Sequence, residues 1–92
     1  MKVDKLKETL PLLPVMVWNK ETKEYDDKFV SPYSFIRDGY LYISSEHGDD
    51  AADYYGEYRG GYAWINPLLE AWAKSNNGYF EWQNAGCIVF NQ

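Results

Sequence analysis

The chain is short of the residues that covalent catalysis and metal binding use most. Its 92 residues include one cysteine, Cys87, and one histidine, His47. A catalytic Cys-His pair would require these two side chains to meet in space, and no Gly-x-Ser-x-Gly stretch indicates a serine nucleophile. A single cysteine also excludes an internal disulfide framework, which fits a reducing compartment. The sequence therefore predicts no catalytic residue and no cofactor.

Long apolar runs are also missing. Nothing approaches the roughly 18 apolar residues that a membrane helix needs. The most apolar stretch, residues 10–18, is interrupted by Pro11 and Pro14, charges of both signs precede it, and no small-residue cleavage site follows it, unlike a secretory signal. We expect a cytoplasmic protein that has no membrane contact and forms a single domain, residues 1–92, with a modest core.

Basic side chains are scarce in the second half of the chain. From Asp38 onward there are two basic and eight acidic residues, whereas the residues before it include seven basic and six acidic ones. The net charge of -5 therefore comes from the second half. A field of that sign repels phosphate backbones, so direct nucleic-acid binding is disfavoured and a basic partner is attracted. The alternative is that the acidic residues only keep the protein soluble.

Helix-start and helix-end residues predict a short helix near the C-terminus. Residues 66–76 begin with Asn66 as the N-cap and Pro67 at the first helical position, and Gly78 is placed for a left-handed cap. The apolar face of this helix consists of Leu68, Leu69 and Trp72. A second short helix is predicted before Pro11, and a third from the letters DAADYY, capped by Asp49 or Asp50 and ended by Gly56.

Hairpins are predicted for most of the remaining chain. Residues 14–19 and the "FV" at 29–30 are joined by a polar loop. Asp38-Gly39 suits a two-residue turn with positive φ, which sets Ile36 against Leu41 and Phe35 against Tyr42.

The last hairpin turns at Asn84 and Ala85, with Gly86 as a left-handed bulge residue. This register sets Trp82 against Ile88 and Phe80 against Phe90, with Glu81 and Val89 on the opposite face.

These elements predict an α+β fold, a small two-layer sandwich in which a mostly antiparallel sheet built from hairpins carries one amphipathic helix on one face. Trp72 is expected to contact Phe80 or Trp82. The predicted core consists of Val15, Val17, Phe35, Leu41, Leu68, Trp72, Phe80, Trp82, Ile88 and Phe90.

Residues 46–64, hereafter the acidic aromatic segment, have the most unusual composition. They contain five carboxylates, four tyrosines, one tryptophan and a single arginine. Tyrosine and tryptophan give large contact areas at recognition surfaces, and carboxylates beside them complement lysine and arginine. The chain holds more tyrosine and tryptophan than so small a core can bury. The residues predicted to bind a partner are Asp49, Asp50, Asp53, Tyr54, Tyr55, Glu57, Tyr58, Arg59 and Tyr62.

Three alternatives exist for this segment. The first is that residues 54–64 wrap around the sheet edge and mostly complete the core. Glu46, His47, Asp49, Asp50 and Asp53 could bind a hard metal ion for a metal-assisted enzyme, although their spacing matches no dedicated pattern, and no metal site is predicted. The third is that Arg59 and the backbone amides of the two glycines after it bind an anion, but two adjacent glycines form no known phosphate-binding motif.

The composition favours a non-enzymatic interaction protein whose partner is a basic protein surface, such as that of a nucleic-acid-binding protein. In size and charge the chain resembles small acidic phage-encoded inhibitors that mimic DNA, such as anti-restriction and anti-CRISPR proteins, a resemblance of composition without a shared motif. The runner-up is a domain that binds a small ligand between stacked tyrosines. A homo-oligomer is compatible with each class, because it would also use exposed aromatic side chains.

Overall fold

Antiparallel strands and two helices make up the part of the chain that the structure describes. This structure is a computed structural model, and it describes residues 3–47, 50–56 and 61–92. The elements over these residues are, in order, α1 (Val3–Glu8), β1 (Leu13–Asn19), β2 (Glu24–Val30), β3 (Ser34–Arg37), β4 (Tyr40–Ser44), β5 (Ala52–Asp53), β6 (Trp64–Ile65), α2 (Pro67–Ser75), β7 (Tyr79–Asn84) and β8 (Cys87–Asn91). The predicted α+β class is confirmed.

A four-stranded antiparallel sheet in the order β3-β4-β8-β7 is the centre of the fold. Asp38 and Gly39 both have positive φ, 52° and 81°, so they form the predicted two-residue turn between β3 and β4. That turn pairs Ile36 with Leu41 and Phe35 with Tyr42, which confirms the predicted register.

The β7–β8 hairpin also has its predicted register, but its turn differs in detail. Trp82 faces Ile88, and Phe80 faces Phe90. Gly86 does not take the predicted left-handed conformation. The irregularity lies on β7 instead, between Trp82 and Asn84.

Helix α2 begins as the sequence predicts. The backbone N–H of Leu68 donates to the Asn66 side-chain oxygen at 2.9 Å, and Pro67 occupies the first turn. The left-handed residue after the helix is Asn77, with φ of 58°, and not the predicted Gly78. Asparagine adopts this conformation at less cost than most residues other than glycine, so Asn77 can take the left-handed position. Among the described residues, no helix is long and apolar enough to cross a membrane.

Both helices pack on the same face of the four-stranded sheet, called here the inner face. Strand alternation places Leu41, Ile43, Ile88 and Phe90 on it. These four side chains are buried together with Leu6 of α1 and with Leu69, Trp72 and Ala73 of α2. The Trp72 ring lies 4.8 Å from the Phe90 ring and 5.9 Å from the Phe80 ring, centroid to centroid. The predicted contact between Trp72 and Phe80 and the two-layer arrangement are therefore confirmed.

Four residues of the predicted core lie elsewhere. Val15 is half-buried on β1 and belongs to neither buried cluster. Leu68 is 45% exposed, because Leu69 takes the inward position on α2 and is fully buried. Phe35 pairs with Tyr42 and so projects from the face opposite to Leu41, where it is half-buried. Val17 is exposed on β1, which pairs only with β2 and is not part of the four-stranded sheet.

Strands β1 and β2 form a separate hairpin, called here the arm, whose contacts lie mainly within itself. Strand β2 begins at Glu24, so the predicted polar loop shortens to Lys20–Lys23. Asn19 closes that loop, since its side-chain oxygen accepts from the backbone N–H of Glu21 at 2.9 Å and its amide donates to Asp26 at 2.8 Å.

Replacing Trp72 by alanine is expected to lower the free energy of unfolding by about 3–5 kcal/mol, as for other large-to-small changes in a packed core. The matched control is Leu68→Ala on the same helix, for which we expect a loss below about 1 kcal/mol because the side chain is half exposed. Urea unfolding monitored by circular dichroism measures both values. Equal losses for the two variants would contradict the packing described here.

Candidate functional site

The cysteine and histidine have structural surroundings that do not favour catalysis. Cys87 is half-buried on β8, and burial raises the pKa of its thiol. Arg37 opposes that rise electrostatically, whereas the Glu46 carboxylate adds to it. A catalytic thiol needs the opposite shift, toward thiolate at neutral pH. The His47 ring is stacked on the Tyr33 ring at 3.9 Å between centroids.

The proposed metal ligands do not converge on a common point within the described ranges. Over residues 3–47, 50–56 and 61–92, no three His, Cys, Asp or Glu side chains lie close enough to share an ion. Asp49, one of the five candidates, lies outside those ranges.

The backbone of the acidic aromatic segment is held against the start of α2. The backbone N–H of Asn66 donates to the Ala51 carbonyl at 2.8 Å, and its side-chain amide donates to the Asp50 carbonyl at 3.1 Å. Asn66 thus caps α2 and anchors this segment at the same time. Ala52 and Asp53 form β5, which pairs with β6, so the short helix predicted from DAADYY is wrong.

Two small side chains explain why this part is a strand. Ala51 and Ala52 are buried in the same apolar cluster as Leu13, Ile43 and Leu69. Pairing of Ala52 with Ile65 of β6 gives the backbone of this part hydrogen bonds that replace those of a helix. Burial of both alanines together with pairing to β6 therefore outweighs the local helical preference.

A close backbone contact at Gly56 fixes the next turn of the segment. The backbone N–H of Gly56 donates to Asp53 Oδ1 at 2.9 Å, and its carbonyl accepts from the Gly61 N–H at 3.0 Å. Gly56 has φ of 58°, and a Cβ there would collide with the backbone oxygen of Tyr62. Only glycine fits this position without a shift of the backbone.

The described tyrosines of the segment are largely exposed. The exposed fraction is 44% for Tyr54, 68% for Tyr55 and 79% for Tyr62. The Tyr54 ring makes edge contacts with the Tyr55 ring at 5.3 Å and with the Trp82 ring at 5.2 Å, centroid to centroid. These three tyrosines therefore do not complete the core, and Ala51 and Ala52 are the buried residues of this part. Tyr58, which the same alternative included, lies outside the described residues.

Five of the nine residues predicted to bind a partner lie within the described ranges of the chain. These are Asp50, Asp53, Tyr54, Tyr55 and Tyr62, all close along the chain to the β5–β6 ladder. Outside the described residues lie Asp49, Glu57, Tyr58 and Arg59.

A second aromatic surface, on the sheet face opposite the helices, was not predicted. Phe35 and Tyr42 stack there at 5.2 Å, with the Arg37 guanidinium 5.5 Å from the Phe35 ring centroid. A shallow groove of about 200 Å³ lies beside them, lined by Tyr40, Tyr42, Glu81, Gln83, Val89 and Asn91. The predicted hairpin registers could have revealed this surface. They place Phe35 with Tyr42, and Glu81 with Val89, on the face that α2 does not cover.

The edge strand of this surface carries a coupled pair of polar side chains. A hydrogen bond from the Tyr79 hydroxyl to the Glu81 carboxylate raises the pKa of Tyr79, and the negative charge of Glu81 raises it further. Tyr79 therefore stays protonated and able to donate a hydrogen bond at every physiological pH.

Comparison of the chain with protein-family models, with curated proteins and with solved structures found no match. The functional argument therefore rests on the chemistry and exposure of the residues described above.

Alkylation of Cys87 by iodoacetamide is expected to be slow at pH 7, because the raised pKa keeps the thiol protonated. The rate should rise with pH, and its midpoint should lie above the value of about 8.5 for cysteine in an unstructured peptide. The urea-unfolded chain is the control, and its midpoint should return to the peptide value. A folded-state midpoint below the unfolded one would contradict this assignment and indicate an activated thiol.

Proposed function

We propose that this protein is a non-enzymatic interaction protein that docks on a basic protein surface through its acidic aromatic segment. It acts in the cytoplasm as an inhibitor or nucleic-acid mimic of the kind that phages encode, on a partner such as a nucleic-acid-binding protein. The observation that carries the proposal is the exposure of Tyr54, Tyr55 and Tyr62 on a backbone anchored by buried residues.

Anchoring matters because binding has an entropic cost. Ala51 and Ala52 are buried just before Tyr54 and Tyr55, and Asn66 holds the backbone of Asp50 and Ala51. Just after the two tyrosines, the Gly56 N–H donates to the Asp53 side chain. A preorganised surface loses less conformational freedom on association than a loose one. Exposed tyrosines on such a base are typical of the residues that dominate binding energy at protein interfaces.

The charge distribution favours a partner rich in lysine and arginine. The second half of the chain holds eight of the fourteen acidic residues and two of the nine basic ones. Carboxylates interleaved with tyrosines offer ion pairs and cation-π contacts to the same basic side chains. Charges of one sign mainly increase the association rate, whereas packed rings determine the dissociation rate.

Converting Asp49, Asp50, Asp53 and Glu57 to their amides is expected to slow association with the partner by about tenfold or more at low salt. The amides keep the side-chain oxygen that Gly56 uses at Asp53, so the fold should be retained. A pull-down from the native host lysate would identify the partner, and surface plasmon resonance would give both rate constants. Raising the salt concentration from about 0.1 M to about 1 M should slow association of the parent chain with the partner in the same way, since it shortens the Debye length from about 10 Å to about 3 Å.

The control carries the same change of net charge elsewhere, with amides at Asp4, Glu8, Glu21 and Glu24. We expect it to associate nearly as fast as the parent chain, whereas Tyr55→Ala should mainly speed dissociation. If the two amide variants associate equally fast, the acidic segment does not steer the partner and the proposal fails.

A second candidate function is favoured by one observation, the groove on the open sheet face. Two tyrosines and three polar side chains converge there around Val89, which suits a small planar or sugar-like ligand stacked on a ring. Glu81, Gln83 and Asn91 would accept or donate hydrogen bonds to its edge.

A panel of monosaccharides and nucleosides, titrated at about millimolar concentration and followed by NMR chemical shifts, tests this candidate. A ligand of the groove should shift the resonances of Tyr42 and Val89, and Tyr40→Ala should weaken its binding by about tenfold. Tyr55→Ala, at an exposed tyrosine outside the groove, should leave the binding unchanged. No saturable shift at Val89 with any compound of these two classes would speak against the ligand-binding function.

A further inference from the structure

The arm has one face that is almost entirely apolar. Pairing of β1 with β2 and strand alternation place five apolar side chains on this face, with Asp27 as its charged residue. The apolar arm face consists of Pro14, Met16, Trp18, Tyr25 and Phe29. Its opposite face carries Asp26 and Lys28 beside Val15 and Val17, so the two faces differ sharply in polarity.

No described part of the chain covers the apolar arm face. Met16 and Phe29 are each 67% exposed, Tyr25 is 61% exposed and Trp18 is 50% exposed. The Trp18 and Tyr25 rings contact each other edge to face at 5.0 Å between centroids, so the exposed rings are already ordered against one another. A two-stranded hairpin without further packing is marginally stable in water, which makes this exposure costly for an isolated chain.

We propose that the apolar arm face is a dimer interface, at which it packs against the same face of a second copy of this chain. Because a two-fold interface brings one patch against itself, an apolar patch is automatically complementary to its copy. Methionine and aromatic residues, which make up most of this face, are enriched at the centres of protein interfaces.

The area is sufficient for a specific contact. With about 200 Å² for each large side chain, the four most exposed ones offer roughly 500 Å² per copy. Two copies meeting face to face would therefore remove about 1,000 Å² from water, the size at which a specific interface becomes distinguishable from a chance contact.

The charge distribution also favours a second copy at this face. Residues 13–30 include three lysines and four acidic residues, which nearly cancel, whereas the part of the chain from Asp38 onward carries a net charge of -6. Two chains that meet through their arms bring near-neutral surfaces together and keep the strongly acidic parts apart. A basic partner fits this face poorly, because the face offers a single carboxylate, Asp27, to pair with lysine or arginine. The dimer interface is thus independent of the acidic aromatic segment.

Sedimentation equilibrium of the purified chain tests the dimer directly. Over a range from about 1 μM to about 1 mM, the mass-average molar mass should rise from that of one chain toward that of two, since small interfaces give affinities in the micromolar range. Raising the salt should leave the dimer intact or tighten it, because the contact is apolar.

Met16→Lys and Val17→Lys form a matched pair of variants. They place the same charge at adjacent positions of β1, the first on the apolar arm face and the second on the opposite face. Met16→Lys should raise the dimer dissociation constant by about a hundredfold, because two lysines would face each other in an apolar contact, and Val17→Lys should change it by less than about threefold. Both positions are exposed, so circular dichroism should show an unchanged fold.

Three results would overturn the dimer: a single-chain mass at every concentration, equal weakening by the two lysine variants, or dissociation of the dimer by salt. The amide variant of Asp49, Asp50, Asp53 and Glu57 should dimerise like the parent chain. Loss of partner binding in that variant with the dimer retained separates this interface from the proposed docking function.

Discussion

The packing of α2 on the inner face of the four-stranded sheet is the constraint on which the rest of the structure depends. Leu69 and Trp72 present the buried side of the helix to Ile88 and Phe90, and α1 fills the remaining part of the same face. Among the described residues no helix covers the opposite face. The sheet therefore has one buried and one open side, and every surface with functional potential lies outside this single packed layer.

This one-sided cover explains why small residues of the acidic aromatic segment are inside while its large rings are outside. The cluster around Leu69 and Ile88 leaves room for Ala51 and Ala52 near the sheet edge, and Asn66 holds their backbone there. Tyr54 then packs only its edge on Trp82. The rings that a small core cannot accommodate remain available for recognition, on a backbone that the core has already ordered.

The molecule separates its surfaces by chemistry. The acidic residues are concentrated after Asp38, whereas the arm is almost neutral and exposes an apolar face. An acidic surface attracts a basic partner over a distance of about one Debye length, whereas an apolar face acts only at contact. The acidic aromatic segment, proposed to bind a basic partner, and the apolar arm face, proposed to bind a second copy, are therefore chemically distinct surfaces.

Local features were predictable from the sequence alone, because they depend on sterics and hydrogen bonds within a few residues. The Asp38-Gly39 turn fixed the register of β3 with β4, and Asn66 with Pro67 marked the start of α2. Two local details were nevertheless wrong, the left-handed conformations predicted at Gly78 and Gly86. Tertiary packing decided the larger differences. Ala52 pairs with Ile65 thirteen residues away instead of extending a helix, and the Trp72 indole donates to Thr9 Oγ1, 63 residues away. The positions of Phe35 and Val17 outside the core were likewise undetermined, because strand periodicity separates two faces but does not say which face, or which strand, the helices will cover.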